Sequence, residues 1–105
     1  MQNRVQFSKD GARVTAILPG DIDHHLARSL REQIDRELEG GGIELLILDF
    51  SAVRFMDSSG IGLIIGRCEL AGRYGARVRL KGLSESLVRL VRLCGIEKIK
   101  NLSIG

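Results

Sequence analysis

The residues best placed to do chemistry are Asp57-Ser58-Ser59-Gly60-Ile61-Gly62, which put a carboxylate, two hydroxyls and two glycines into one short run. A serine nucleophile needs a base within hydrogen-bond reach and an oxyanion hole, and its α/β-hydrolase form reads Gly-x-Ser-x-Gly, which this string does not match. Gly60, Gly62 and Gly66 form neither a dinucleotide fingerprint nor a Walker loop. The string can instead serve as a covalent switch. Asp57 fits a helix N-cap, its carboxylate accepting hydrogen bonds from the otherwise unpaired amides of Ser59 or Gly60. Ser58 and Ser59 then occupy the first helical turn, near the surface. Because the start of a helix tolerates an added anion, a phosphate on Ser58 is carried without unfolding. Its charge of roughly −1.5 to −2 at neutral pH would repel an acidic partner or clash with a close-packed one. Spacing alone favours the plainer alternative, in which both serines are only good first-turn residues.

Other constellations are weaker. Adjacent His24 and His25 point about 100° apart on a helix and cannot share a ligand face, so a solvated first turn accounts for them. Asp21, Asp23 and Asp57 would meet around a cation only if the loop after the second strand lay beside the central helix, and all three have sufficient work as helix caps. Gly62 and Gly66, four residues apart, leave a bare strip that a neighbouring backbone, from this chain or from a partner, can approach.

The elements that must position this string follow from periodicity. Val5 and Phe7, a turn at Lys9-Asp10-Gly11, and Val14, Ala16 and Leu18 predict a hairpin of two strands. Asp21-Ile22-Asp23 opens a helix carrying Leu26, Leu30, Ile34 and Leu38, which stops at Gly40-Gly41-Gly42; either Asp21 or Asp23 can cap it. Ile43 to Phe50 reads as a strand buried on both faces. After the loop Ser51 to Met56, the central helix places Ile61, Ile64, Ile65, Cys68 and Ala71 toward the sheet and Arg67, Leu70 and Arg73 outward. Ala76, Val78 and Leu80 make a strand with one wet face. A third helix follows, capped by Ser84, with Leu83 and Val88 as a hydrophobic staple and Leu87, Leu90, Val91 and Cys94 inward. The tail beyond Gly95 is too weakly patterned to separate a short strand from helix. Alternating helices and strands predict an α/β fold with a mixed, mostly parallel sheet of four or five strands, an antiparallel N-terminal edge strand and three or more helices.

At 105 residues the chain is expected to be one domain, spanning 1–105. A net charge of +3 is only mildly basic, and aromatic residues make up 4% of the chain, too few for base stacking, so no nucleic-acid partner is expected. No run approaches the ~20 apolar residues of a membrane span, and Met1-Gln2-Asn3-Arg4-Val5-Gln6 lacks the apolar core of a signal peptide. A cytoplasmic monomer without membrane attachment is the expectation. Cys68 and Cys94 sit at apolar helix positions with no second Cys or His at metal-ligand spacing, so neither a disulfide nor a metal is called for.

The string Phe55-Met56-Asp57-Ser58-Ser59-Gly60-Ile61-Gly62, the earlier Gly20-Asp21-Ile22-Asp23-His24-His25 and the order of elements resemble the STAS domain of bacterial anti-sigma-factor antagonists, and within it the sporulation type. The similarity runs from the first strand to about Ile99. Members usually carry a further C-terminal helix, for which there is no counterpart before Gly105. The resemblance implies a partner-switching regulator, a substrate and not a catalyst. Its unphosphorylated form would bind an anti-sigma factor that is also a serine kinase with bound adenine nucleotide, releasing the sigma factor. Phosphorylation of the residue matching Ser58 would end binding, and a PP2C-type phosphatase would restore it. Asp57, Ser59, Ile61 and Gly62, with Gly20, Asp21 and Asp23 from the neighbouring loop, would form the partner surface. No cofactor of its own is implied. A stress-response circuit with the same fold, or a nucleotide-binding STAS module, are the alternatives.

Overall fold

Alternation of apolar and polar side chains sets up the N-terminal hairpin of the computed structural model, which describes residues 3–105. Strand β1 (Gln6–Asp10) pairs antiparallel with β2 (Arg13–Ile17), from Gln6 opposite Ile17 to Asp10 opposite Arg13. The reversal falls on Gly11, at φ +61°, so the strand runs two residues further, through Lys9 and Asp10, than the pattern predicted. Helix α1 (His24–Glu39) buries Ala27, Leu30, Ile34 and Leu38, and leaves through Gly41 and Gly42, both with positive φ. Then come β3 (Leu45–Asp49), α2 (Ser58–Arg73), β4 (Arg77–Lys81), α3 (Glu85–Leu93), a 3-10 turn (Ile96–Lys98) and β5 (Leu102–Ile104).

The sheet order is β1-β2-β3-β4-β5, with every pairing after the first parallel. Among the described residues, five strands and three α-helices thus realise the expected fold class. Val14, Ala16, Leu46, Leu48, Val78, Leu80 and Leu102 line one face and join the helices in a single apolar core. On the other face the row Thr15, Ile47, Arg79 and Ser103 runs across four strands. Only Ile47 of that row is buried, and it lies outside the main core. Strand β3 is therefore sealed on the helix-covered face, whereas on the other face Ile47 is buried and Leu45 and Asp49 are only half-buried, so the expected burial on both faces holds only at its centre.

Two expectations need correction, and one reading left open is decided. Helix α2 is rotated from the predicted phase: Gly60, Leu63, Ile64, Arg67, Cys68 and Ala71 face inward, while Ile65 is 44% exposed and Ile61 half-buried. Glycines at 60, 62 and 66 dilute the apolar pattern, and Gly60 lets the first turn press on Met56 where a Cβ would lie 2.7 Å from its sulfur. Cys94 is exposed, because α3 ends at Leu93 and Gly95, at φ +74°, turns the chain away. The tail resolves into the 3-10 turn and β5, whose pairing with β4 is a long-range contact that local periodicity does not contain.

Candidate docking and modification site

Two loops meet at one end of the sheet. Ile22 and Met56, both buried, form a parallel bridge, in which the Ile22 amide donates to the Phe55 carbonyl at 3.0 Å and the Asp57 amide to the Ile22 carbonyl at 3.2 Å. Asp21 Oδ1 accepts from the amides of Arg54 at 2.8 Å and Phe55 at 3.1 Å, and these two bonds hold its carboxyl below the ordinary aspartate value. The loop after β2 is thereby stitched to the loop after β3. The starts of α1 and α2 come to lie side by side.

Each helix has its own cap. Asp23 accepts from the Leu26 amide at 2.8 Å and Asp57 from the Ser59 amide at 2.8 Å. Asp21, one of two expected candidates for capping α1, is instead the stitch between loops. Upstream, Asp49 accepts from the Ser51 amide at 2.9 Å and its hydroxyl at 2.6 Å. Partial burial pushes the Asp49 carboxyl up, but these bonds and nearby Lys81 outweigh it and hold the carboxyl low.

Ser58, first residue of α2, is exposed, with Ser59, Asp57 and Ile61 half-buried beside it and Gly62 exposed one turn on. Gly20 is half-buried, and Asp21 and Asp23 are exposed, on the facing loop. All the sequence-selected residues thus fall on one end of the molecule. Among the described residues no group of three or more His, Cys, Asp or Glu is arranged to hold a metal ion, the three aspartates included.

Two features escaped the sequence reading. Phe55 is 64% exposed directly before the string, although an aromatic in an apolar stretch gives no local sign of facing water. The second is a cleft of about 510 Å³ between α1 and α2, lined by His24, Arg28 and Arg31 on one side and by Ser59, Gly62 and Gly66 on the other. A Cβ added at Gly62 or Gly66 meets nothing within 4 Å, so their bare strip receives no backbone from this chain. Closing the inner end, Arg67 is only 6% exposed and its Nε stands 2.8 Å from Asp35 Oδ1, an ion pair out of line for a hydrogen bond.

Residues 9–103 match the STAS domain. The chain belongs to the STAS-domain family. One STAS relative, an anti-sigma F factor antagonist of Paenibacillus polymyxa, is 33% identical over 82 residues, spanning 78% of this chain and 70% of its own length. Another, an anti-sigma-B factor antagonist of Bacillus subtilis strain 168, is 32% identical over 104 residues, spanning 98% and 93%. Among solved STAS structures, the Bacillus cell fate determinant SpoIIAA in its phosphorylated form superimposes with a TM-score of 0.74 at 25% identity, over 97% of this chain and 91% of that one. No helix among the described residues is long and apolar enough to cross a membrane.

Proposed function

We propose that this STAS domain is an anti-sigma factor antagonist whose docking is switched by phosphorylation of Ser58. The observation that carries the reading is the exposure of Ser58 at the first turn of α2, on loops held by Asp21, Asp57 and the Ile22–Met56 bridge. None of those bonds uses the Ser58 hydroxyl. A dianion added there changes the surface and leaves the supports untouched. In the unmodified state Asp57, Ser59, Ile61 and Gly62, with Gly20, Asp21 and Asp23 opposite, form the docking surface, and Phe55 adds an apolar anchor beside them. The partner is an anti-sigma factor that is also a serine kinase with bound adenine nucleotide. A PP2C-type phosphatase reverses the modification. The protein is the substrate of both and acts in the cytoplasm.

The circuit has two candidate readings. The likeness to sporulation antagonists favours a sporulation sigma factor, whereas the anti-sigma-B relative, which spans 98% of this chain, favours a stress-response one. The test of the switch is an affinity measurement with the cognate anti-sigma factor. Ser58→Asp is expected to weaken binding at least tenfold, and Ser58→Ala to bind but resist phosphorylation. If Ser58→Asp binds like wild type while Ser58→Ala still accepts phosphate, the reading is overturned.

A further inference from the structure

The cleft between α1 and α2 carries more positive charge than the protein itself answers. Arg28 and Arg31 are exposed, and neither enters an ion pair among the described residues, whose salt bridges are Lys9–Glu37, Arg67–Asp35 and Arg73–Glu69. Arg31 lies near enough to Arg67 for like-charge repulsion to be felt, and Asp35 is a carboxylate that both feel, with Glu39 near enough to act on it. His24, Arg28 and Arg31 follow one another at i, i+4 and i+7, so their side chains run for roughly 10 Å along one helix face and do not converge on a point. The opposite side is kept bare by Gly62 and Gly66, with no heavy atom within 4 Å of where a Cβ would stand.

Two exposed arginines in line, with the His24 imidazole one turn before them, face a smooth strip, which fits a stretch of chain carrying carboxylates better than one compact anion. We propose that this cleft receives an acidic segment of the partner that docks on the Ser58 surface. Ser59 and Gly62 belong to both, so the cleft extends that surface down the helices. The inference rests on the docking reading above. It adds where the second part of the contact lies and the charge it must carry.

The experiment compares affinities for the cognate anti-sigma factor at two salt concentrations. The double variant Arg28→Glu/Arg31→Glu is expected to bind at least tenfold more weakly at low salt and to lose most of the salt dependence of wild type. Gly66→Leu leaves charge unchanged and starts from a position where a Cβ meets nothing within 4 Å, and it is expected to weaken binding at least fivefold by filling the cleft. In both variants Ser58→Asp should lower affinity further, which separates this surface from the switch. Affinity within twofold of wild type in either variant overturns the proposal, even if the Ser58 response persists. The proposal is also overturned if calorimetry of the free protein finds saturable binding of inorganic phosphate or ATP that the double variant abolishes while partner affinity is unchanged, or if sedimentation finds that the double variant abolishes a wild-type dimer.

Discussion

Asp21 is the side chain on which the geometry of the site turns. Two backbone amides of the opposite loop bond its carboxylate and depress its pKa, so the stability it contributes is present above the unfolded value near 3.8 and is lost as pH falls through the lower folded value. Asp49 titrates with the same sign. Asp21→Asn should therefore lower the denaturation midpoint at neutral pH and flatten its dependence between about pH 5 and 2, read by denaturant titration across that range. The glycines of α2 separate in the same way into supporting and open positions. Gly60→Ala would set a Cβ 2.8 Å from the Met56 Cβ, beside its own backbone, and is expected to cost roughly 1–3 kcal/mol. Gly66→Ala meets nothing and should instead stabilise by about 0.5–1 kcal/mol through helix propensity. Thermal unfolding of the pair checks both signs.

Between elements, the α1–α2 contact includes an ion pair where the apolar pattern promised none. Burial pushes the Asp35 carboxyl up, with Arg67 opposing the shift, and depresses Arg67 in turn. The sign at Asp35 is opposite to that at Asp21: its contribution is present at low pH and lost as pH rises through the raised value. Removing one partner is not equivalent to removing the other. Asp35→Ala strands a guanidinium that is nearly sealed and should cost roughly 1–3 kcal/mol, below the range for fully buried pairs because the Asp35 side chain is 26% exposed. Arg67→Met replaces the charge with an apolar chain of similar length and should stay within about 1 kcal/mol of wild type, since Asp35 can turn to water. Equal losses in a chemical denaturation series would contradict this account.

For the molecule as a whole, switching and folding rest on different residues. The core is built from β2, β3, β4 and the inward faces of the helices, whereas Ser58 stands at the rim with its own cap and stitched loops behind it. Ser58→Asp should accordingly shift unfolding free energy by no more than about 0.5 kcal/mol, as surface substitutions do, while weakening docking at least tenfold. A large drop in stability alongside the lost affinity would mean that the modification acts by loosening the scaffold.

Local pattern was enough for the first four strands, for the caps Asp57 and Ser84, for narrowing the α1 cap to Asp21 or Asp23, and for the position of Ser58 at a helix start, because these depend on neighbours within a few residues. It misled on α2, where glycines blur the apolar stripe and the long stem of Arg67 packs inward while its charge finds Asp35 on another helix. It also could not reach the stitch from Asp21 to Arg54 and Phe55, the cleft lined by Arg28 and Arg31, or the pairing of β5 with β4. Each of these joins segments far apart along the chain. A side chain's preference is written in its own surroundings, but which distant segment supplies those surroundings is decided only when the sheet brings them together.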